Sequence, residues 1–270
     1  MQVAHTPDAD DAFMFYAMLN GKIPLSFKVE NVVEDIESLN RKALLGEYEV
    51  TALSVHAYAF VAEKYRLLSA GASVGDGYGP IVVAKRDLDL KKAKIAIPGK
   101  LTTASLLLKL AVDAKTVEMR FDEILNAVKS GRVDAGLLIH EAQLSYEEHG
   151  LKKVLDLYDW WRSQTKLPLP LGVNAIRRDL SLELQKAFLV AMKESVRYAL
   201  ENVDEALSYA ERYARGIDRE KLRKFVTMYV NEYTLEMPEK VFKAIEALFD
   251  MAEEKGIAKK PRLDVLRDVD

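Results

Sequence analysis

The stretch that decides the fold is residues 133–141, VDAGLLIHE, in which an apolar run ends in a histidine followed by a glutamate. A helical pattern over Phe121–Ser130 and a break at Gly131 come directly before it. A short apolar run in this setting predicts a buried strand of an α/β sheet. Because such sheets bind ligands at the carboxyl ends of their strands, His140 is the leading candidate for a functional residue.

Segments on both sides of this strand alternate between strand and helix. Strands are predicted at residues 2–5, 25–30, 50–53, 66–68, 81–84, 94–97 and 116–119, and helices at residues 12–19, 36–45, 55–63 and 102–111. This alternation favours a mostly parallel sheet, followed by a smaller α/β unit after the charged segment 85–92. Everything beyond Ser181 is predicted to be helical, and Gly216 and Gly256 are expected to end helices there. Gly46 is expected to end the helix at residues 36–45.

Composition narrows the class of protein. With 270 residues, 49% of them hydrophobic and 30% charged, the chain can bury the cores of two domains. A net charge of -3 gives no general attraction to nucleic acid or anionic lipid, so a small-molecule partner is expected. The acidic amino terminus and the absence of an apolar stretch of roughly 18 residues predict a cytoplasmic protein without a membrane span.

The chain contains no cysteine, which excludes disulfides, thiol nucleophiles and cysteine-ligated metals. Proton transfer near neutral pH then falls to the histidines. His5 at the end of the first strand, His56 after Ser54, and His149 in a charged turn compete with His140 for this role. A structural histidine with a hydrogen-bonded ring is the alternative interpretation of His140. Glu141 is a poor orienting partner, because consecutive side chains of a strand point to opposite faces.

Residues 98–105, PGKLTTAS, lead from a strand through a glycine into a helix that opens with Thr102 and Thr103. Backbone N–H groups and hydroxyls at a helix amino terminus bind a carboxylate or a phosphate. The alternative is that one of these threonines is an ordinary helix cap.

Two further segments have both a functional and a structural interpretation. Residues 71–80, GASVGDGYGP, do not match a dinucleotide fingerprint, because a strand and not a helix follows them. Their glycines either bring the backbone close to a ligand or make a mobile connection. Residues 8–13, DADDAF, suggest a metal site or helix capping, and capping is favoured. Asp11 could still face a cleft.

Several motifs together resemble a known family. They are GYGPIVVA at residues 77–84, PGKLTTA at 98–104, GLLIHEAQLSY at 136–146, GLKKVLDLYDWW at 150–161 and LPLPLG at 167–172. In these motifs the chain resembles the periplasmic-binding-protein-like enzymes of the futalosine route to menaquinone. The resemblance covers nearly the whole chain.

The resemblance implies an α/β, two-domain, type II periplasmic-binding-protein-like fold with a ligand cleft and with neither a metal nor an organic cofactor. We expect residues 1–84 plus 176–270 to form the larger domain and residues 85–175 the smaller one. The family's reaction is a carbon–carbon lyase reaction that cleaves cyclic dehypoxanthinyl futalosine and releases a dihydroxynaphthoate. It implies that His140 is the general base.

The same resemblance implies that the substrate, a small carboxylate, contacts the residues Ala52, Leu53, Ser54, Thr102, Thr103 and Asp11. Where relatives commonly carry S-P-x-P-N-D, this chain has TPDADD at residues 6–11, so Asp11 matches while Thr6, Ala9 and Asp10 depart from the pattern. The alternatives are a chorismate dehydratase of the same pathway and a non-catalytic cytoplasmic protein that binds small carboxylates. Apolar faces of the helical carboxyl end would also allow a homodimer.

Overall fold

The computed structural model describes residues 1–214 and 217–268, and these form two β-sheets of seven and five strands surrounded by helices. The strands are β1 (Gln2–His5), β2 (Glu30–Val33), β3 (Val50–Ser54), β4 (Tyr65–Leu68), β5 (Ser73–Gly75), β6 (Ile81–Ala84), β7 (Lys94–Ile97), β8 (Lys115–Glu118), β9 (Ala135–Leu138), β10 (Lys152–Asp156), β11 (Leu169–Arg177) and β12 (Val265–Leu266). The α-helices are α1 (Ala9–Leu19), α2 (Ile36–Leu45), α3 (Val55–Val61), α4 (Thr103–Ala111), α5 (Phe121–Ser130), α6 (Leu157–Thr165), α7 (Leu182–Glu201), α8 (Val203–Ala210), α9 (Arg219–Tyr229), α10 (Glu232–Leu235) and α11 (Glu239–Glu254).

The first sheet has the strand order β12-β4-β11-β3-β1-β2, and β5 pairs with β11. Strand β1 runs parallel to β2 and β3, whereas β11 runs antiparallel to β3, β4 and β5. The prediction of a mostly parallel sheet is therefore wrong. An apolar run shows that a strand is buried, but it carries no information about the direction of its neighbours.

The second sheet has the order β10-β6-β9-β7-β8. Strand β7 is parallel to β8 and β9, and β6 is antiparallel to β9 and β10. We expected Ile81–Ala84 to continue the first set of strands, and this is wrong, because these residues form β6 of the second sheet. The chain therefore passes between the sheets at residues 76–80 and returns at residues 166–168.

Strand β9 confirms the prediction made from the VDAGLLIHE stretch. All of its residues are buried, and α5 ends just before it at Gly131, whose φ of +77° is left-handed. Gly136 lets α5 pack closely on β9, since an added Cβ there would lie 2.5 Å from Ile124 Cγ2. Small size in the middle of the strand thus sets the distance between helix and sheet.

The carboxyl-terminal region is mainly helical, as predicted, with one correction. Val265–Leu266 form β12, which pairs in parallel with β4 and adds an edge strand to the first sheet. Gly46 follows α2 with a φ of +72°, as expected for a helix stop, and Gly256 follows α11 with a φ of +65°. Gly216, the third expected stop, lies outside the described residues. Among the described residues, no helix is both long and apolar enough to span a membrane.

The topology brings four strand ends to one place. The chain leaves β1, β3, β7 and β9 at their carboxyl ends, and residues at these ends or in the segments that follow them line a common cavity. Buried apolar residues of both sheets pack in one cluster beneath it, among them Leu53 and Val173 from the first sheet and Val82 and Leu137 from the second. The cavity thus lies between two sheets that share a core.

Candidate active site

A cavity between the sheets is the candidate site. It is partly open to solvent, and its empty space, counting the open part, is about 730 Å³. Every site residue predicted from the sequence lines it: Asp11, Ala52, Leu53, Ser54, Thr102, Thr103 and His140. The roles of these residues remain predictions, but the fold brings them together from four segments of the chain.

His140 lies beyond the end of β9, with its ring held between a carboxylate and an aromatic edge. Its Nδ1 atom is 3.0 Å from Oδ2 of Asp8, and the side chains are 12% and 5% exposed, respectively. The ring of Phe121 packs edge-on against the imidazole, with 4.3 Å between the centroids. The Asp8 contact joins the two sides of the cavity, since Asp8 follows a strand of the first sheet and His140 one of the second.

The expectation that the aspartates at residues 8–11 serve as helix caps is wrong for Asp8. It occupies the N-cap position of α1, yet its side chain makes no capping hydrogen bond. Its carboxylate contacts the imidazole of His140 instead. Local sequence could not reveal this contact, because the partner lies on another sheet.

Asp10 and Asp11 are buried in the first turn of α1 and line the cavity. Burial, with help from the carboxylates of Asp11, Asp8 and Glu141, raises the pKa of Asp10 well above its usual value. Burial also raises the pKa of Asp11, although nearby His5 and two hydrogen bonds from Thr6 oppose it. Those bonds run from the backbone N–H and the hydroxyl of Thr6 to Oδ2 of Asp11, each 2.7 Å long.

Within residues 1–214 and 217–268, no three histidine or carboxylate side chains converge in a way that could hold a metal ion. Asp8 contacts the imidazole of His140, and the carboxyl groups of Asp8, Asp10 and Asp11 lie close enough for their charges to interact.

Thr102 and Thr103 stand at the start of α4, which lines the same cavity as the start of α1. The hydroxyl of Thr102 accepts a hydrogen bond from the N–H of Ser105 at 3.2 Å and lies 2.9 Å from the Gly99 carbonyl oxygen, to which it donates. Thr102 is therefore the cap of α4, and it lines the cavity as well. The Thr103 hydroxyl donates to the carbonyl oxygen of Leu171 on β11, at 2.6 Å.

Helix geometry leaves the first N–H groups of α4 without acceptors inside the helix. The N–H of Ser105 is bound by the Thr102 hydroxyl, whereas Thr103 and Ala104 both line the cavity at this helix start. No acidic residue lies in the first turn of α4. This helix terminus is thus suited to an anion, and its use as a binding site stays a prediction.

The segment Ala52, Leu53 and Ser54 ends β3 and forms another wall of the cavity. The side chain of Asn40 fixes it from behind. Its Oδ1 accepts from the Ser54 N–H at 2.9 Å, and its Nδ2 donates to the Ser54 hydroxyl at 3.0 Å.

The competing histidines do not line the cavity. His5 is fully buried, its Nδ1 lies 2.8 Å from the Thr6 carbonyl oxygen, and its ring stacks on Phe15. His56 lies behind the start of α4, where its backbone N–H donates to the Thr103 hydroxyl at 3.2 Å. Burial lowers the pKa of the His56 imidazole to about 4, so it is neutral at pH 7. His149 is exposed.

Among the polar side chains of the cavity that sequence reasoning missed are Asn174 on β11 and Tyr229 at the end of α9. Asn174 is 2% exposed, and its Nδ2 donates to the Gly71 carbonyl oxygen at 2.8 Å. Oδ1 of Asn174 is buried without a hydrogen-bond partner among the described residues. A polar residue within the buried run of β11 was the available signal.

Gly71, in the glycine-rich segment 71–80, also lies at this cavity. Gly71 has a φ of +80°, and an added Cβ would lie 2.7 Å from Nδ2 of Asn174. The backbone at this glycine approaches a side chain of the protein, and its approach to a ligand stays a prediction. Gly71 lines the cavity together with Ser73 and Pro80.

The sequence is similar to a known family and to proteins of known name. A family model described as menaquinone biosynthesis matches residues 1–254. A protein of Thermus thermophilus named 1,4-dihydroxy-6-naphtoate synthase is 42% identical over 260 residues, which cover 96% of each chain. A protein of the same name from Streptomyces coelicolor is 34% identical over 265 residues, which cover 95% of this chain and 94% of its own.

Solved structures agree with the predicted fold. A crystal structure of a protein from Archaeoglobus fulgidus is 62% identical and superposes with a TM-score of 0.94, covering 95% of this chain and 97% of its own. An alkanesulfonate-binding protein from Xanthomonas axonopodis has 13% identity and a TM-score of 0.74, and the match covers 99% of this chain and 98% of that one. This second likeness concerns the fold alone. It confirms the prediction of a periplasmic-binding-protein-like α/β architecture.

Proposed function

The chain belongs to the menaquinone biosynthesis family, and on that premise we propose that it forms 1,4-dihydroxy-6-naphthoate, the reaction for which its curated relatives are named. The substrate is the small carboxylate that the family resemblance implies, cyclic dehypoxanthinyl futalosine, and the reaction is a carbon–carbon lyase reaction. The observation that carries the proposal is a buried histidine, His140, that shares one cavity with a helix start suited to an anion.

The substrate carboxylate binds at the start of α4 in this proposal. The N–H groups of Thr103 and Ala104 face it, with Thr102 fixing the helix end, and the Ala52, Leu53 and Ser54 segment forms the adjacent wall. Acidic residues of α1 line another part of the cavity, so the reversed orientation would place the substrate carboxylate beside acidic groups instead of a helix start without them. The reacting carbon then lies towards His140.

His140 removes the proton whose loss starts carbon–carbon cleavage. Its Nδ1 atom is held by Asp8, so Nε2 is the ring nitrogen that exchanges a proton with the substrate. Proton removal is sufficient to start this step, because the carbon–carbon cleavage that forms the aromatic ring needs neither an oxidant nor a reductant from the protein.

The proposal extends to organisation and location. The two sheets belong to two domains that close on the substrate, and closure excludes water from the base. Names of biosynthetic enzymes among the relatives support a cytoplasmic location. A homodimer stays a prediction that sedimentation can test.

Replacing His140 by asparagine tests the proposal. Asparagine keeps polarity and hydrogen bonding but cannot take up a proton at neutral pH, so turnover should fall roughly a hundredfold to ten-thousandfold with little loss of product affinity. Turnover is measured by mass detection of product from cyclic dehypoxanthinyl futalosine, with chorismate in a parallel incubation. Near-wild-type turnover of the variant, or product from chorismate only, would contradict the proposal.

A further inference from the structure

Asp8 lies at the N-cap position of α1, but its carboxylate contacts a histidine instead of capping the helix. It begins α1 in an extended conformation, with φ of -109° and ψ of 152°, but its carboxylate is not used for the helix N–H groups. It reaches across the cavity to Nδ1 of His140 at 3.0 Å. Both side chains are nearly buried, so solvent screens this contact weakly.

A carboxylate on one ring nitrogen of an imidazole does two things. It selects the tautomer with the proton on Nδ1, which leaves the lone pair on Nε2. It also stabilises the imidazolium that forms when Nε2 takes up a proton. The edge of Phe121 fixes the ring from another side, so the orientation of the imidazole is set by two contacts.

The two partners come from different sheets. Asp8 follows β1 of the first sheet, and His140 follows β9 of the second. The distance between their side chains therefore depends on how the two sides of the cavity stand relative to each other. Glu141, the neighbour of His140 in sequence, cannot supply this coupling, because it lies on the same side.

We infer that Asp8 is a positioning residue that orients His140 and makes the base competent only when the two sides of the cavity are together. The inference rests on the proposed role of His140. Closure of the two domains then also activates the base. In the open enzyme His140 would lack its partner and would exchange protons less readily.

Other acidic groups near the pair do not replace Asp8. Asp10 and Asp11 lie on α1, Glu141 follows His140, and the Tyr229 hydroxyl comes from α9. The pKa of Asp10 is raised by burial and by its neighbours, which weakens its negative charge. Asp11 accepts two hydrogen bonds from Thr6. Asp8 contacts the imidazole directly.

The test compares kcat/KM against pH for the wild type and for Asp8→Asn, Asp8→Glu, Glu148→Gln and His140→Asn. Asp8→Asn should lower kcat/KM at least about tenfold at neutral pH and move the acid limb to lower pH by about one pH unit or more, because the partner that stabilises the imidazolium is gone. Asp8→Glu keeps the charge, so its acid limb should stay near that of the wild type while its rate lies between the two.

Glu148→Gln is the matched control. Glu148 forms an exposed ion pair with Lys221 that also joins the two sides of the molecule, but neither residue lines the cavity. This variant should keep the wild-type rate and acid limb. If it behaves like Asp8→Asn, loss of a bridging contact explains both variants and the inference fails.

Two measurements keep the inference separate from the proposed function. If His140→Asn is inactive while Asp8→Asn keeps the wild-type rate and acid limb, the inference fails and the proposed function stands. If His140→Asn is active, the proposed function fails first. Nitrogen NMR of ¹⁵N-histidine-labelled wild type needs no variant to fold, and it should find His140 protonated on Nδ1 at pH 7. A proton on Nε2 alone would overturn the inference.

Discussion

The starts of α1 and α4 line the same cavity, but they differ in charge. Asp8, Asp10 and Asp11 occupy the start of α1, whereas Thr102 and Thr103 occupy the start of α4, whose first turn has no acidic residue. A helix amino terminus attracts negative charge. The start of α1 already carries three carboxyl groups, whereas the first turn of α4 carries none. The difference predicts that an anion binds at the start of α4, while the start of α1 holds the imidazole of His140.

The histidines near the two helix starts show the same contrast. His140 is paired with Asp8 beside α1, whereas His56 lies beside α4, where burial lowers the pKa of its imidazole to about 4. A carboxylate partner stabilises a protonated imidazole, and an apolar setting disfavours it. Burial alone would make both rings poor bases. Asp8 is therefore the feature that distinguishes His140, the candidate base, from His56, a structural histidine.

The largest effect is expected from making the two helix starts alike. Thr103→Asp places a carboxylate at the start of α4, where the substrate carboxylate is proposed to bind. Two like charges at short distance in a partly buried site repel by several kcal/mol, so affinity for 1,4-dihydroxy-6-naphthoate should fall roughly a hundredfold or more by calorimetry.

Thr116→Asp is the control for this prediction, because Thr116 is exposed on β8 and adds the same charge away from the cavity. It should leave product affinity unchanged. Equal affinity for product in Thr103→Asp and the wild type would show that the carboxylate binds elsewhere.

The second prediction concerns the pH dependence of stability and tests the contrast between the histidines. In the unfolded chain His56 takes up a proton near pH 6.5, whereas in the folded protein it does so near pH 4, because burial lowers its pKa. Between these values the unfolded state binds more protons, so this histidine lowers the free energy of unfolding as pH falls. The loss should reach roughly 3 kcal/mol at pH 4.

His56→Gln should remove that loss, so urea unfolding at pH 7, 6, 5 and 4.5 should show the variant gaining on the wild type as pH falls. Asp10, whose pKa is raised, acts in the opposite direction in both proteins and cancels in the difference. The exposed His149→Gln serves as the control and should not change the slope. Parallel curves for wild type and His56→Gln would contradict a buried, neutral His56.

The sequence predicted the strand ends of the site because apolar runs bounded by glycine mark buried strands. VDAGLLIHE gave β9 and the position of His140, and the strand before PGKLTTAS gave β7 and the start of α4. Known behaviour of α/β sheets then placed the ligand at those strand ends. This reasoning depends on local pattern alone.

Features that depend on contacts across the molecule were missed. The direction of β11 and the membership of β6 are decided by which strands pair, which a hydrophobic run does not reveal. Asp8 looked like a cap because helix starts favour aspartate. Its contact with His140 exists only once two sheets are brought together.

The smallest predicted effect separates capping from ligand binding at α4. The Thr102 hydroxyl already accepts from the Ser105 N–H and donates to the Gly99 carbonyl oxygen. Thr102→Ala should therefore lower the free energy of unfolding by about 1 kcal/mol, the usual effect of losing a cap. Product affinity should fall by less than about fivefold, because the N–H groups of Thr103 and Ala104 remain at the helix start. Thr102→Ser, which keeps the hydroxyl, should restore stability in urea unfolding. If Thr102→Ala instead keeps its stability and loses most of its affinity for product, the hydroxyl binds the ligand directly, and the two helix starts differ less than their charges indicate.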